Sequence, residues 1–114
     1  MPSYRQKRLD KDIRAELVRV INHMKDPRID NFLSVMHVEV TNDLSFANVY
    51  IGSLNGFEAA KDACKVLTKA AGHIRSELSR NMHIRKAPEL RFIPDDSAEY
   101  ADRINRKLEE LKNE

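Results

Sequence analysis

Cysteine occurs once, at Cys64, so no internal disulfide can form and a reducing, cytoplasmic setting is the default expectation. Tryptophan is absent, and the aromatic complement is three tyrosines and four phenylalanines. Phe32, Phe46, Phe57 and Phe92 all fall in or beside the apolar pattern of the core, so no aromatic-rich motif for stacking nucleic-acid bases stands out. With only 3 glycines and 4 prolines, the chain has no glycine-rich phosphate loop or dinucleotide fingerprint, and no low-complexity tract. A nucleophile elbow is absent too. No apolar run approaches the ~20 residues that cross a membrane. The basic N-terminus is followed by no apolar stretch of a secretory leader, so a soluble, non-exported protein is expected.

What remains is an ordinary globular composition, 41% hydrophobic and 33% charged over 114 residues, enough for one compact domain spanning residues 1–114. Net charge is only +2, but its distribution is uneven. Residues 1–30 hold 8 Lys and Arg against 5 acids, and residues 58–93 hold 8 against 4. Residues 31–57 hold no Lys or Arg, and residues 94–114 hold 4 against 7 acids. Two basic stretches can favour a polyanion while overall charge stays modest, although a solvated helix surface has the same composition.

The apolar periodicity defines the elements. Leu9, Ile13, Leu17, Val20, Ile21 and Met24 recur at helical spacing, which predicts an amphipathic helix from Tyr4 to Met24, capped by Ser3 and stopped by Pro27. Residues 32–41 alternate as a strand, with Met36, Val38 and Val40 on the drier face and Val35, His37, Glu39 and Thr41 on the wetter one. Asn42-Asp43 supplies turn chemistry, and residues 46–54 form a second strand, giving an antiparallel hairpin. A helical pattern resumes at Phe57 and runs through Ala60, Ala63, Cys64, Leu67, Ala70, Ala71, Ile74 and Leu78. Gly72 interrupts it, which predicts two helices meeting at a kink at or near that residue. Pro88 to Ile93 reads as a third strand, and Asp95-Asp96-Ser97 caps a closing helix with the apolar stripe Tyr100, Ile104, Leu108 and Leu111. A small sheet with helices on one face packs this order naturally.

Catalytic chemistry finds no support. His23, His37, His73 and His83 never reach metal-ligand spacing with one another or with Cys64, which sits in an apolar helix stripe as a small core residue. His37 and Glu39 share a strand face but lack a nucleophile beside them, and Asp95 and Asp96 complement a helix dipole. Neither an enzyme nor a cofactor is expected. Lys61, Lys65 and Lys69, at i, i+4 and i+8, instead form a basic stripe running toward the Gly72 break, followed by His73, Arg75, Arg80, Arg85 and Lys86. A helix N-terminus beyond the break, with a glycine permitting close approach, suits phosphate. A solvated helical face beside a packing glycine is the competing explanation.

Four stretches resemble a known family when taken together in order and spacing. They are Asp26-Pro27-Arg28; Asp43-Leu44-Ser45-Phe46-Ala47-Asn48-Val49-Tyr50; Leu67 through Leu78; and Pro88-Glu89-Leu90-Arg91-Phe92 followed by Asp95 and Ser97. With them, essentially the whole chain resembles bacterial ribosome-binding factor A. The resemblance implies an α+β fold, a single type II KH-like domain with an extra C-terminal helix. An Ala-x-Gly kink at Ala70-Ala71-Gly72 would replace the Gly-x-x-Gly loop of other KH domains. It further implies a cytoplasmic, non-catalytic protein without cofactor, a monomer off the ribosome. Such a protein would bind 16S rRNA on the free, immature 30S subunit, assist late maturation near the 5′-terminal helix, and matter most in the cold.

The RNA surface expected from charge and placement is Lys61, Lys65, Lys69, Ala70, Gly72, His73, Arg75, Arg80, Arg85 and Lys86, flanked by Arg5, Lys7 and Arg8. The chain stops soon after its last helix, so contacts made by the long C-terminal tail of some members are not carried over, and the acidic closing helix is expected to face away from RNA. A general KH-like RNA binder and a protein–protein adaptor using the closing helix's apolar stripe remain the rivals. Burial of that stripe against the sheet would end the second.

Overall fold

A computed structural model describes residues 4–24, 26–29 and 33–112, with the backbone alone at 4–6 and 98–103. The expected cap at Ser3, Phe32, and the side chains of Arg5 and Tyr100 lie outside the described residues. The elements are α1 (Tyr4–Met24), β1 (Leu33–Val40), β2 (Phe46–Ser53), α2 (Phe57–Lys69), α3 (Ala71–Asn81), β3 (Glu89–Pro94) and α4 (Ser97–Lys112). None of the described helices is long and apolar enough to cross a membrane.

The i, i+3, i+4 pattern of α1 turns Ile13, Leu17, Val20 and Ile21 inward, and all four are buried. Beyond Met24 the chain turns about Pro27. There the Asp26 carboxylate accepts from the Arg28 backbone N–H at 2.9 Å and from its Nε and Nη2 at 3.0 and 2.7 Å. Those bonds hold the Asp26 carboxyl at about 2, below the usual carboxylate range.

β1 and β2 pair antiparallel, but the register slips between Val35 and His37. Met36 is therefore the unpaired residue of a β-bulge. It inverts the predicted alternation at the start of the strand. Val35, Val38 and Val40 are the buried residues, and Met36, expected on the drier face, is exposed. Its side chain lies over Gly52, where a Cβ would come within 3.0 Å of Met36 Cγ. In the hairpin, Leu44 donates its N–H to the Thr41 carbonyl at 2.9 Å with φ at 63°. The Asp43 carboxylate accepts from the Ser45 N–H and the Thr41 hydroxyl, which lowers its pKa, the Ser45 bond being the larger cause.

Gly56, at φ 107°, starts α2, a backbone conformation that side chains disfavour. The two-helix crossover carries the chain from the C-terminal end of β2 back to its N-terminal end, so β3 adds parallel to β2, in the order β1-β2-β3. The Glu89 N–H bonds the Ser45 carbonyl at 2.9 Å and opens that ladder after Pro88. α1 packs on β1 and α3, and α2 on β2 and β3. One buried cluster joins them, including Leu17, Val38, Val49, Leu67, Ile74 and Phe92. Truncating one of its large residues, Leu67→Ala for example, costs about 2–5 kcal/mol.

α4 departs from the expected arrangement. The Asp95 carboxylate accepts the Ser97 N–H at 2.8 Å, as its place before a helix predicts. The apolar stripe beyond it stays in solvent: Ile104, Leu108 and Leu111 are 42%, 53% and 66% exposed. The core face of the sheet is already covered by α1, α2 and α3, which leaves α4 no place on it.

Candidate nucleic-acid interface

The interruption between α2 and α3, expected at or near Gly72, falls on Ala70. α2 ends at Lys69, and Ala70 stands outside both helices at φ −94°, ψ 4°. Its N–H is shared between the Val66 and Leu67 carbonyls at 3.2 and 3.1 Å, a tightened last turn that satisfies the backbone without a glycine. Gly72 is the second residue of α3, outside the positive-φ region and exposed, and a Cβ built there meets nothing within 4 Å. Neither the turn nor internal packing requires glycine at this position. The first turn of α3 receives no side-chain cap.

The decisive arrangement lies at the other end of α3. Asn81 and Met82 close the helix, His83 takes φ 54°, and the N–H groups of His83 and Ile84 bond the Arg80 and Ser79 carbonyls at 3.4 and 3.1 Å. That pairing is a Schellman motif with histidine in the left-handed position usually held by glycine. The strand-bound chain is then pinned back onto the helix. Ser79 Oγ accepts the Ala87 N–H at 3.1 Å, and Arg75 Nε donates to the Ala87 carbonyl at 2.9 Å. Ala87 and Pro88 are buried. This frame gathers Arg75, Arg80, Arg85 and Lys86 with Ser76 and Ser79 around one open cavity of about 450 Å³. Arg80 also pairs with Glu77 at 3.1 Å, the one anion bonded to this group among the described residues. Cations and hydroxyls converging on an open concavity suit phosphate oxygens.

The other expected residues are dispersed. Lys61 is engaged locally, 3.5 Å from Glu58 and 5.7 Å above the Phe57 ring. Lys65 and Lys69 are exposed on α2, where Glu58 and Asp62 share their face, so the stripe is mixed in charge at its N-terminal end. His73 lines a separate groove between α1 and α3, with Arg19, His23 and Glu77. Arg8 is exposed on α1, and Lys7 lines a third cavity beside β1.

Among the described residues no group of three or more His, Cys, Asp or Glu could hold a metal ion. Burial raises the Cys64 thiol to about 11, which leaves it protonated and a poor nucleophile. His37 Nε2 and Glu39 Oε1 do meet at 3.2 Å, on an exposed strand face. The feature missed in the sequence is Phe46. Expected in or beside the core pattern, it lies half-buried on the outer face of the sheet, and the Arg91 guanidinium stacks 3.7 Å from its ring centroid. Its strand position, opposite in parity to Ala47 and Val49, is the signal that could have found it.

Comparison with known proteins matches residues 5–108 to the family model for ribosome-binding factor A. The chain belongs to the ribosome-binding factor A family. A ribosome-binding factor A from Staphylococcus carnosus is 41% identical over 112 residues, covering 97% of this chain and 96% of its own. One from Dictyoglomus thermophilum is 43% identical over 108 residues, covering 94% and 90%.

The fold agrees with solved members. The crystal structure of ribosome-binding factor A from Thermus thermophilus superposes with a TM-score of 0.68 at 27% identity, over 78% of this chain and 94% of that one. A homology model of the Thermus factor, fitted into a cryo-EM map of its complex with the 30S subunit, gives 0.63 at 28% identity, over 75% and 90%. The four helices and three-stranded mixed sheet are thus the architecture of ribosome-binding factor A.

Proposed function

We propose that this chain is a ribosome assembly factor that binds the free, immature 30S subunit and assists late maturation of 16S rRNA near its 5′-terminal helix, with its largest effect in the cold. In this reading residues 1–114 act as one type II KH-like domain, with Ala70-Ala71-Gly72 in the place of a Gly-x-x-Gly loop. It works in the cytoplasm as a monomer, without cofactor or catalysis. The supporting observation is the convergence of Arg75, Arg80, Arg85 and Lys86 around one open cavity on a frame pinned by Ala87. A homology model of a family member, fitted into the map of a 30S complex, supports reading that cavity as a site for rRNA phosphate. A factor without chemistry of its own shifts an RNA equilibrium only by binding one conformation better than the others, so a backbone frame that gathers cations around one cavity serves the function directly. Lys65, Lys69 and Gly72 extend the surface along α2 and the first turn of α3.

The test replaces Arg80, Arg85 and Lys86 together with Gln and follows co-sedimentation with free 30S subunits. Binding is expected to fall at least about tenfold, and the salt dependence to flatten by about 0.7–0.9 in log–log slope for each phosphate no longer neutralised. The thermal midpoint should hold, because all three side chains are exposed. Undiminished co-sedimentation excludes this surface. Equal binding to assembled ribosomes and unrelated RNA would favour the general RNA binder.

The adaptor reading keeps one observation in its favour, the exposed stripe of Ile104, Leu108 and Leu111. Leu108→Asp separates the two readings. It should leave 30S binding intact if RNA carries the contact, and abolish it if a protein does.

A further inference from the structure

The cations of α1 belong to a different place from those of α3. Lys7, Lys11 and Arg14, at i, i+4 and i+7, line an open cavity of about 530 Å³ against β1, where they meet His37 and Glu39. Two bonds build its floor. Asp10 accepts the Val40 N–H at 2.9 Å, and Arg14 Nε donates to the Val35 carbonyl at 3.1 Å. The Asp10 carboxylate is thereby committed to the strand, and Glu39 to His37 at 3.2 Å. Lys7 and Lys11 are exposed and make no ion pair among the described residues. Three cations against the two carboxylates, Asp10 and Glu39, leave the lining an excess of one positive charge.

Strand register continues this cavity onto the sheet face that no helix of the core covers. His37 stands opposite Tyr50 and Glu39 opposite Asn48, while Arg91 and Ile93 flank them from β3. The His37 and Tyr50 rings lie 5.8 Å apart at 31°. The second plane of the face is the Arg91–Phe46 stack. Phe46 and Tyr50 are four residues apart on β2, or about 13 Å.

We infer that this face binds an unpaired RNA segment, its phosphates on Lys7, Lys11 and Arg14 and a base stacked on the His37–Tyr50 pair. The inference rests on the reading of the chain as an RNA binder and adds a second, base-contacting surface. Charge complementarity selects a polyanion over an apolar or cationic protein partner: the three cations line one cavity with the His37 ring and outnumber its two carboxylates, Asp10 and Glu39. The exposed His37 ring and Arg91 guanidinium, beside half-buried Tyr50, select single strands, because bases in an A-form duplex present no free faces. Stacking tolerates any base, so the contact holds a strand open without reading its sequence.

The experiment uses the whole chain and fluorescein-labelled octauridine RNA, followed by anisotropy, with an abasic octamer of the same backbone in parallel. Octauridine should bind more tightly than the abasic strand. Tyr50→Ala should weaken octauridine about tenfold with an unchanged salt slope, Tyr50→Phe should stay within about twofold, and exposed His37→Ala should weaken binding severalfold. Lys7→Gln with Lys11→Gln should flatten the salt slope. Thermal midpoints report folding, and His37→Ala carries the test if Tyr50→Ala is unstable. Failure of octauridine to bind, equal binding of the abasic strand, or indifference to both ring substitutions overturns the inference. Loss of 30S binding in Tyr50→Ala with octauridine unaffected assigns the face to a protein and also overturns it. Loss of 30S binding in the Arg80, Arg85 and Lys86 variant alongside any of these outcomes leaves the assembly-factor reading standing.

Discussion

Arg75 is tied to Ala87: its Nε donates to the Ala87 carbonyl at 2.9 Å across twelve residues of chain. The side chain is half-buried. It is therefore a strap between α3 and the approach to β3 as well as a cation of the cavity, and the two roles separate by substitution. Arg75→Lys keeps the charge and loses the Nε bond, costing about 1 kcal/mol. In a domain of 114 residues that lowers the melting midpoint by about 4 °C. Affinity for 30S subunits at 25 °C should change less in Arg75→Lys than in Arg75→Gln, which loses both. Equal midpoints for wild type and both variants would show that the bond contributes nothing.

Gly72 offers a sharper contrast. A methyl group there meets no protein atom, and the residue is helical, so Gly72→Ala should raise stability by up to about 1 kcal/mol in chemical denaturation. If a phosphate backbone approaches the first turn of α3, the same variant should bind 30S subunits several-fold more weakly. A gain in stability with unchanged binding would remove Gly72 from the interface.

Leu44 carries a left-handed backbone on an exposed leucine at the tip of the hairpin. Such a conformation costs a side-chain-bearing residue about 1–2 kcal/mol, and asparagine tolerates it better. Leu44→Asn is expected to stabilise the hairpin by about 1 kcal/mol, read as a shift in urea midpoint at unchanged slope. Destabilisation would mean that the leucine side chain contributes packing that outweighs the strain.

Asp26 sets an acid limb on stability. Its folded pKa, about 2, lies below the ordinary aspartate value of 3.8 because of the Arg28 bonds. A depressed carboxylate stabilises the fold above its unfolded pKa, and the contribution fades as pH falls from about 4 toward 2. Asp26→Asn should therefore flatten the loss of urea midpoint between pH 4 and pH 2 while lowering the midpoint at pH 6. Asp43, lowered by the Ser45 N–H and Thr41 hydroxyl, adds to the wild-type slope in the same direction. Identical pH profiles for wild type and Asp26→Asn would contradict the assignment.

Local periodicity is enough to order every element, because helix and strand stripes are written within ten or twenty residues of one another. Tyr4–Met24 is readable to the residue, and the β1–β2 hairpin follows from its turn chemistry. Inward and outward parity at the start of β1 is not readable, since a bulge depends on the partner strand and leaves no period in its own. Propensity places the helix break only at or near Gly72; the structure puts it on Ala70, between an α2 packed on β2 and β3 and an α3 packed on α1. The fate of α4's stripe is equally hidden, because amphipathicity states that a face wants burial and not that a place for it remains.

The basic residues themselves are plain in the sequence, and so is the family resemblance they belong to. Their grouping is decided only by tertiary structure. Arg75 and Lys86 share a cavity because the Schellman turn at His83 and the bonds to Ala87 fold the chain back on α3. His73 and Lys7 leave that group because helical rotation sends one toward α1 and the pairing of α1 with β1 sends the other to the sheet edge. Sequence determines which charges and rings are present and on which stripe of which element. Which of them meet is determined by contacts between residues distant along the chain, such as Asp10 with Val40, and no local pattern encodes those.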